Sequence, residues 1–471
     1  MTRVWCGLIA VALFFGASGV CAAEEEARHL FVAPHGKPDG DGTQASPLDF
    51  ASAFVHGRLV APGTTVWLAG GRYEGGPFRA GGAVRGTKEQ PVVFRAVAGE
   101  RTAVVGGLDV TASHVWIWGM EIVGPSPTGV HAAGEGLRVI NCIIHDNRSA
   151  EKPPQGKPNA QGIGGGQRSD QEFYGNLIYH NGWSSLDHAM YMQNTARQTP
   201  MRIIDNILFE NAGCGLHVYG EAPVLSGFHV EGNICFATSR NPADLQTGQM
   251  NILLGGRKPI SNIVLKANCT WHPQAADSKR GVDVGYRPPG NTNILIEDNY
   301  FTCGANALEL KGVLDATVRR NVFWAPRGMV QVTFAPEADR SKVLFENNVF
   351  VANGSFDPKK WLAETGVGGR NRLVPGRDGR PAGLHTFARV NQYEPGRVHL
   401  AVYNWDHRPA VRIHLPDVLQ KGDAYRVVNV LDFYGPPVAQ GEAQGPGFVL
   451  PMGRHRYEPE FGAYLLFRSR D

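Results

Sequence analysis

Leu137-Arg138-Val139-Ile140-Asn141-Cys142-Ile143-Ile144 reads as a short apolar strand that runs into an asparagine and then an apolar pair. The same arrangement returns at Phe173-Tyr174-Gly175-Asn176-Leu177-Ile178, at Ile203-Ile204-Asp205-Asn206-Ile207-Leu208 and at Val230-Glu231-Gly232-Asn233-Ile234-Cys235. Further copies carry Asn268, Asn299, Asn321 and Asn348, so successive asparagines stand 22 to 35 residues apart. Strands of constant length between loops of variable length are what stacked coils produce, because strands of neighbouring coils must pair while their loops grow freely. A helical repeat would need long segments of 3.6-residue period, which these are not. The asparagines are read as an internal structural ladder, since Asn tolerates a tight bend and its amide can bond to its equivalent one coil away.

A weaker copy, Val115-Trp116-Ile117-Trp118, extends the stack toward the N-terminus. Upstream lie Gly40-Asp41-Gly42-Thr43, a short amphipathic helix expected over Leu48 to His56, then Thr65-Val66-Trp67-Leu68 and Gly71-Arg72-Tyr73. The helix would plug the open end of the coil and cover its strand edges. In this N-terminal segment and in its repeat organisation over roughly 30–350, the sequence resembles the pectate-lyase-like parallel β-helix superfamily, including the alginate lyase and chondroitinase B group. Parallel crossovers are right-handed. The expected fold is therefore all-β: a right-handed parallel β-helix over 23–355 with an N-terminal cap, a linker or flap over 356–383, and a small β-sandwich over 384–471. The alternating strands Arg397–Trp405, Ala410–Leu415, Tyr425–Leu431, Phe448–Leu450 and Ala463–Phe467 carry that last reading.

Arg3, the apolar run Cys6 to Phe15 and the small residues Ala22 and Ala23 read as a signal peptide over 1–22, which places the chain in the periplasm or the medium. The apolar run is too short for a membrane anchor, and no later segment would span a bilayer. A formal charge of +3 gives no argument for nucleic acid. Once Cys6 and Cys21 leave with the leader, Cys142, Cys214, Cys235, Cys269 and Cys303 remain, an odd and scattered set that makes no disulfide framework and no zinc signature.

Each coil also holds a second strand before its asparagine strand, with apolar second and fourth positions that point inward. The third positions then form an outward column: His131, Gly164, Tyr191, His217, Leu253, Asp283, Glu309 and Gln331. The fifth positions form its neighbour: Gly166, Gln193, Tyr219, Gly255, Gly285, Lys311 and Thr333. Glycines 255 and 285 would leave a shallow gap among polar and aromatic side chains, which suits a sugar chain. His217, Tyr191, Lys311, Asp283 and Glu309 are the candidate catalytic residues. Gln193, Tyr219, Arg168, His188, Asn194 and Glu221 are candidate substrate contacts, with His188 at the rim and the long loops 148–161 and 239–250 as groove walls.

Three functions fit such a wall. A lyase acting on a uronic acid polymer needs a base, a carboxylate neutraliser and an acid for the leaving oxygen. Here His217 or Lys311 stands as base, Tyr191 or Tyr219 as acid, and Arg168 or Gln193 as neutraliser. The resemblance to the alginate lyase group implies a lysine base and calcium held by acids, for which Lys311, Asp283 and Glu309 are the available set. A glycoside hydrolase needs two carboxyl groups, and Asp283 and Glu309 stand one coil apart. A non-catalytic glycan-binding protein is the third reading. The expected partner in each case is a polysaccharide or oligosaccharide, met by a monomer.

Overall fold

The computed structural model describes residues 28–149, 151, 160–238, 250–273, 281–302, 304–367 and 369–469. The leader, Cys303 and most of the two long loops proposed as groove walls lie outside the described residues.

Each coil delivers three short strands, and each strand joins a different parallel sheet. The first sheet has 12 strands, from His29–Lys37 to Val343–Glu346, and the second has 12, from Gly71–Tyr73 to Arg372–Val374. The third has 10, from Phe78–Ala80 to Val330–Phe334. The chain is a right-handed parallel β-helix whose interior is filled by one side chain per inward position, such as Val139, Phe173, Ile203, Val230, Leu265 and Ile296. Between the first and second strands the backbone bends through a left-handed residue, with φ of 54° at Asp205, 59° at Asp298 and 55° at Asn347. Glycine fills the same place at 175 and 232, where a positive φ costs nothing.

The asparagine ladder runs through the stack with one correction. Each amide donates to the next side-chain carbonyl: Asn176 to Asn206 at 2.9 Å, Asn206 to Asn233 at 3.0 Å, and so on to Asn348, which donates to Asn371 at 2.9 Å. Asn141 is not in it. Ile140 pairs with Tyr174, so Cys142 rather than Asn141 stands over Asn176. Its thiol reaches the Ile117 and Ile140 carbonyls, while Asn141 sits at the bend and bonds to Asn391. A second ladder, Asn147 to Asn181 to Asn211, stands at another corner.

The N-terminal helix spans Phe50–Phe54, shorter than expected, and is capped by the Asp49 carboxylate on Ser52 N at 2.8 Å. Phe50 and Phe54 pack on Tyr73, Phe78 and Phe94, closing that end of the core. Residues 356–383, expected as a linker or flap, hold a helix, Pro358–Thr365, whose Trp361 meets Phe345 edge-on and lies tilted against Phe350. They also hold Arg372–Val374, a further strand of the second sheet.

The C-terminal module pairs a five-stranded antiparallel sheet with a two-stranded one. Val398, Leu400, Val402, Ile413, Leu450 and Leu466 fill the space between the two. The opposite face of the larger sheet lies on the coil: Tyr403, Phe461 and Leu465 pack against Ile207, Phe236 and Trp271 on the outside of the second sheet. Exposed parallel sheet is costly unless covered. The module covers the second sheet, and the third is left to face outward with polar side chains.

Candidate functional site

Strand pairing sets the third-sheet column. His131 pairs with Gly164, Gly164 with Tyr191, Tyr191 with His217, His217 with Leu253, Leu253 with Asp283, Asp283 with Glu309, and Glu309 with Gln331. The flanking apolar residues Met190, Met192, Leu216, Val218, Val282 and Val284 are buried, which turns the column outward. Two more positions precede it: Arg79 pairs with Asp109 and Asp109 with His131, whose Nδ1 lies 2.8 Å from the Asp109 carboxylate. Their strands have three residues each, too short for the alternation to be visible in the sequence.

The column divides into two clusters, because Leu253 stands between His217 and Asp283 and is buried. In the first, the His217 ring has Tyr191 at 5.3 Å and Tyr219 at 5.2 Å between ring centroids. His188, expected at the rim as a substrate contact, is instead buried beneath His217 at 2 % exposure. Gly213 makes room for it, since a Cβ there would stand 2.6 Å from His188 Nδ1.

The hydrogen bonds fix the protons. His188 Nδ1 accepts from the Cys214 N–H at 2.9 Å, so neutral His188 carries its proton on Nε2. That nitrogen lies 2.7 Å from His217 Nδ1, which must accept. Burial, with His217 alongside, holds the His188 pKa well below its usual value, and burial lowers that of His217 to about 4. His217 is thus neutral at pH 7, with its proton on Nε2. In this tautomer it donates a hydrogen bond; it does not take a proton. The expected role of His217 as base is corrected on that ground.

Around this pair, the Tyr219 hydroxyl donates to the Glu221 carboxylate at 2.9 Å, and Arg257 Nε lies 2.5 Å from the other Glu221 oxygen. Burial is the largest cause raising the pKa of both Tyr191 and Tyr219, and Glu221 adds to it at Tyr219. Gln193 Nε2 donates to the Tyr219 carbonyl at 3.0 Å and its carbonyl accepts from Gln167, so Gln193 braces neighbouring coils. Arg168 is exposed beside it and donates to the Gln167 carbonyl. Asn194, expected to touch substrate, is fully buried: its amide serves the Thr199, Ser226 and Gly227 carbonyls, which makes it a brace within the coil. Arg257 and Tyr286 belong to this surface and carried no sequence signal, since both stand outside the strands.

In the second cluster, Lys311 Nζ lies 2.5 Å from Asp283 and 2.8 Å from Glu309. Both carboxylates are buried, and Asn306 donates to Glu309 at 3.0 Å. Burial works to lower the Lys311 pKa, but the two carboxylates outweigh it and the net shift is upward. A lysine base needs the opposite. The expected gap at Gly255 and Gly285 is also absent: added Cβ atoms would meet Tyr286 Cβ at 2.6 Å and the Lys311 carbonyl at 2.4 Å, so these glycines permit close backbone approach.

Two sets of residues resemble metal ligands. For calcium, the ammonium of Lys311 already stands between Asp283 and Glu309, so the residues do not fit that ion without displacing it. His188, Cys214 and His217 offer ligand atoms within 4.8 Å of one another. Burial pushes the Cys214 thiol up to about 12, so a metal held there would have to displace its proton.

Residues 106–257 match the family model described as a right handed beta helix region. A stretch of 119 residues, 25 % of this chain, is 31 % identical to a pectate disaccharide-lyase from Dickeya chrysanthemi, and it spans 15 % of that protein's length. Among solved structures, pectate lyase Pel9A is similar at 17 % identity, with 74 % of this chain and 77 % of that one covered and a TM-score of 0.40. The lacto-N-biosidase of Eubacterium ramulus is similar at 16 % identity, with 75 % and 67 % covered and a TM-score of 0.44. Over residues 106–257, then, this chain is a right-handed β-helix of the kind that family model describes.

Proposed function

We propose that the protein is a carbohydrate-active enzyme that binds an acidic polysaccharide along the outer face of the third sheet and cleaves it by β-elimination. One observation carries the reading: a neutral imidazole, His217, with its donor edge turned away from buried His188, stands between two tyrosines. The stretch of similarity to a pectate disaccharide-lyase supports an acidic substrate.

Elimination removes the proton next to the sugar carboxylate, forms a C4–C5 double bond and expels the O4 oxygen. His217 Nε2–H and Arg168 hold the carboxylate and stabilise the charge that spreads onto it as the proton leaves. Tyr219 takes that proton on its oxygen while its own hydroxyl proton passes to Glu221, the acceptor it already faces. Tyr191, kept protonated by its raised pKa, donates to the departing O4. Hydrolysis by Asp283 and Glu309 would require one of them to hold a proton, and Lys311 between them favours both charges. The protein's action is placed outside the cytoplasm, as a monomer, and Lys311 between Asp283 and Glu309 argues against a calcium ion at that pair.

The test is incubation with alginate, polygalacturonate and glycosaminoglycans while ultraviolet absorbance and reducing ends are followed together. New absorbance with each new end supports elimination. Ends without absorbance indicate hydrolysis, and retention on a glycan gel with neither indicates binding alone.

A further inference from the structure

A cavity of about 550 Å³ opens where the C-terminal module meets the coil, and none of its lining residues belongs to the third sheet. Its size is within the range of small-ligand sites. Four arginines and three glutamates line it; Arg101 is held by Glu121, and the other three guanidinium groups have little to neutralise them. Arg397 is 6 % exposed, its nearest carboxylate oxygen is Glu394 at 3.9 Å, and its hydrogen bonds to the Gly175 carbonyl and to His399 are both 3.3 Å long. Glu394 is itself engaged by Trp118 Nε1 at 2.9 Å. Arg426 lies 4.5 Å and Arg397 5.8 Å from the centre of the same Phe467 ring, while Arg95 lies 3.9 Å over Trp118. Among the described residues, neither Arg95 nor Arg426 has a carboxylate within ion-pair distance.

Arg397 is a buried cation without a close counter-ion, which is unfavourable, and an anion entering the cavity beside half-buried Arg95 and exposed Arg426 would relieve it. Guanidinium groups stacked on aromatic rings keep their N–H edges free for a planar acid, and Tyr434, 45 % exposed with Arg101 over one face, leaves ring surface for a sugar. We infer that this cavity is a second, non-catalytic binding site for an acidic saccharide unit, its charge a carboxylate or a sulfate. The site does not depend on which bond the third sheet cleaves. It would hold one part of a long acidic chain while another part lies on the coil, raising the effective concentration of substrate there.

The experiment is a calorimetric titration of the full chain, with tryptophan fluorescence read in parallel. The probes are trigalacturonate, a sulfated chondroitin disaccharide and neutral maltotriose. The His217→Ala variant slows turnover enough for binding to be read first. Saturable binding of an acidic probe, weakened about tenfold by Arg426→Gln or Arg95→Gln at unchanged Tm, is the expected result. The better of the two acidic probes identifies the charged group. Equal binding of maltotriose, acidic binding untouched by both arginine variants, or no acidic binding up to millimolar concentration would each overturn the inference. Loss of turnover on His217→Ala with this binding intact separates the two sites.

Discussion

His188 Nε2 donates to His217 Nδ1 across 2.7 Å, and the Cys214 N–H on the far side of His188 leaves that proton no other place. One buried backbone amide thereby decides which edge of a half-buried imidazole donates to the surface. His217→Ala removes that edge and also leaves the buried His188 Nε2–H without its acceptor; turnover should fall by about 10²–10³-fold, while stability drops by only about 1–3 kcal/mol and the coil stays folded. His188→Ala leaves the Cys214 N–H buried without its acceptor and should lower stability by about 1–3 kcal/mol while also reducing turnover. Kinetics and thermal melts of the two variants, taken together, check the assignment. Equal activity in His217→Ala removes His217 from the site.

The same burial predicts an acid limit. The pKa of His217 falls from 6.5 in the unfolded chain to about 4 in the fold. Between those values the unfolded state binds more protons, so stability rises with pH across this window. The contribution is fully present above 6.5, is lost as pH falls toward 4, and changes no further below. His385, also near 4 through burial, acts in the same direction. Denaturant melts from pH 7 to pH 4 should show falling stability, and His217→Gln should flatten the slope. A slope unchanged by that variant would count against a buried neutral imidazole.

Lys311 is assigned to structure and tested as such. Lys311→Met removes the ammonium shared by two buried carboxylates and should destabilise by about 3–5 kcal/mol. Adding calcium to the unaltered protein should leave Tm in place, because the ammonium holds the position the ion would take. A calcium-dependent rise in Tm, or a Lys311→Met variant that melts normally but no longer turns over, would return Lys311 to the chemistry.

Cys142 stands where every lower rung of the ladder has asparagine, and its thiol, a weak donor, reaches two carbonyls at 3.5 and 3.4 Å. Asparagine there should extend the ladder by one rung, so Cys142→Asn is expected to stabilise by about 0.5–1.5 kcal/mol. Asn233→Ala, inside the ladder, should destabilise by about 1–3 kcal/mol. Chemical denaturation of both variants compares them directly.

The column of outward residues was legible because alternation along a strand and pairing between coils are both local rules: Tyr191, His217, Asp283 and Glu309 follow from counting positions. Depth was not legible. Whether His188 lies at the rim or beneath the surface depends on Gly213, a residue of the next coil that leaves space for its ring. Whether Asp283 and Glu309 are free depends on the reach of one lysine. Asn141 reads as a rung because Asn suits both the ladder and the left-handed bend beside it, and only the pairing of Ile140 with Tyr174 separates the two by one residue. The docking of the C-terminal module does have a signal in the sequence. Leu177, Ile207 and Ile234 are apolar on the outer face of the second sheet, where solvent would demand polar residues, and that face is the one covered.

The most direct measurement is the ultraviolet absorbance of polygalacturonate digests made by the unaltered protein and by Tyr219→Phe, a variant that keeps the ring and removes the hydroxyl facing Glu221. An elimination centred on His217 predicts growing absorbance for the first, and for the second a loss of about 10²-fold or more with unchanged Tm. Equal absorbance from both proteins, or chain cleavage that produces none, would contradict it.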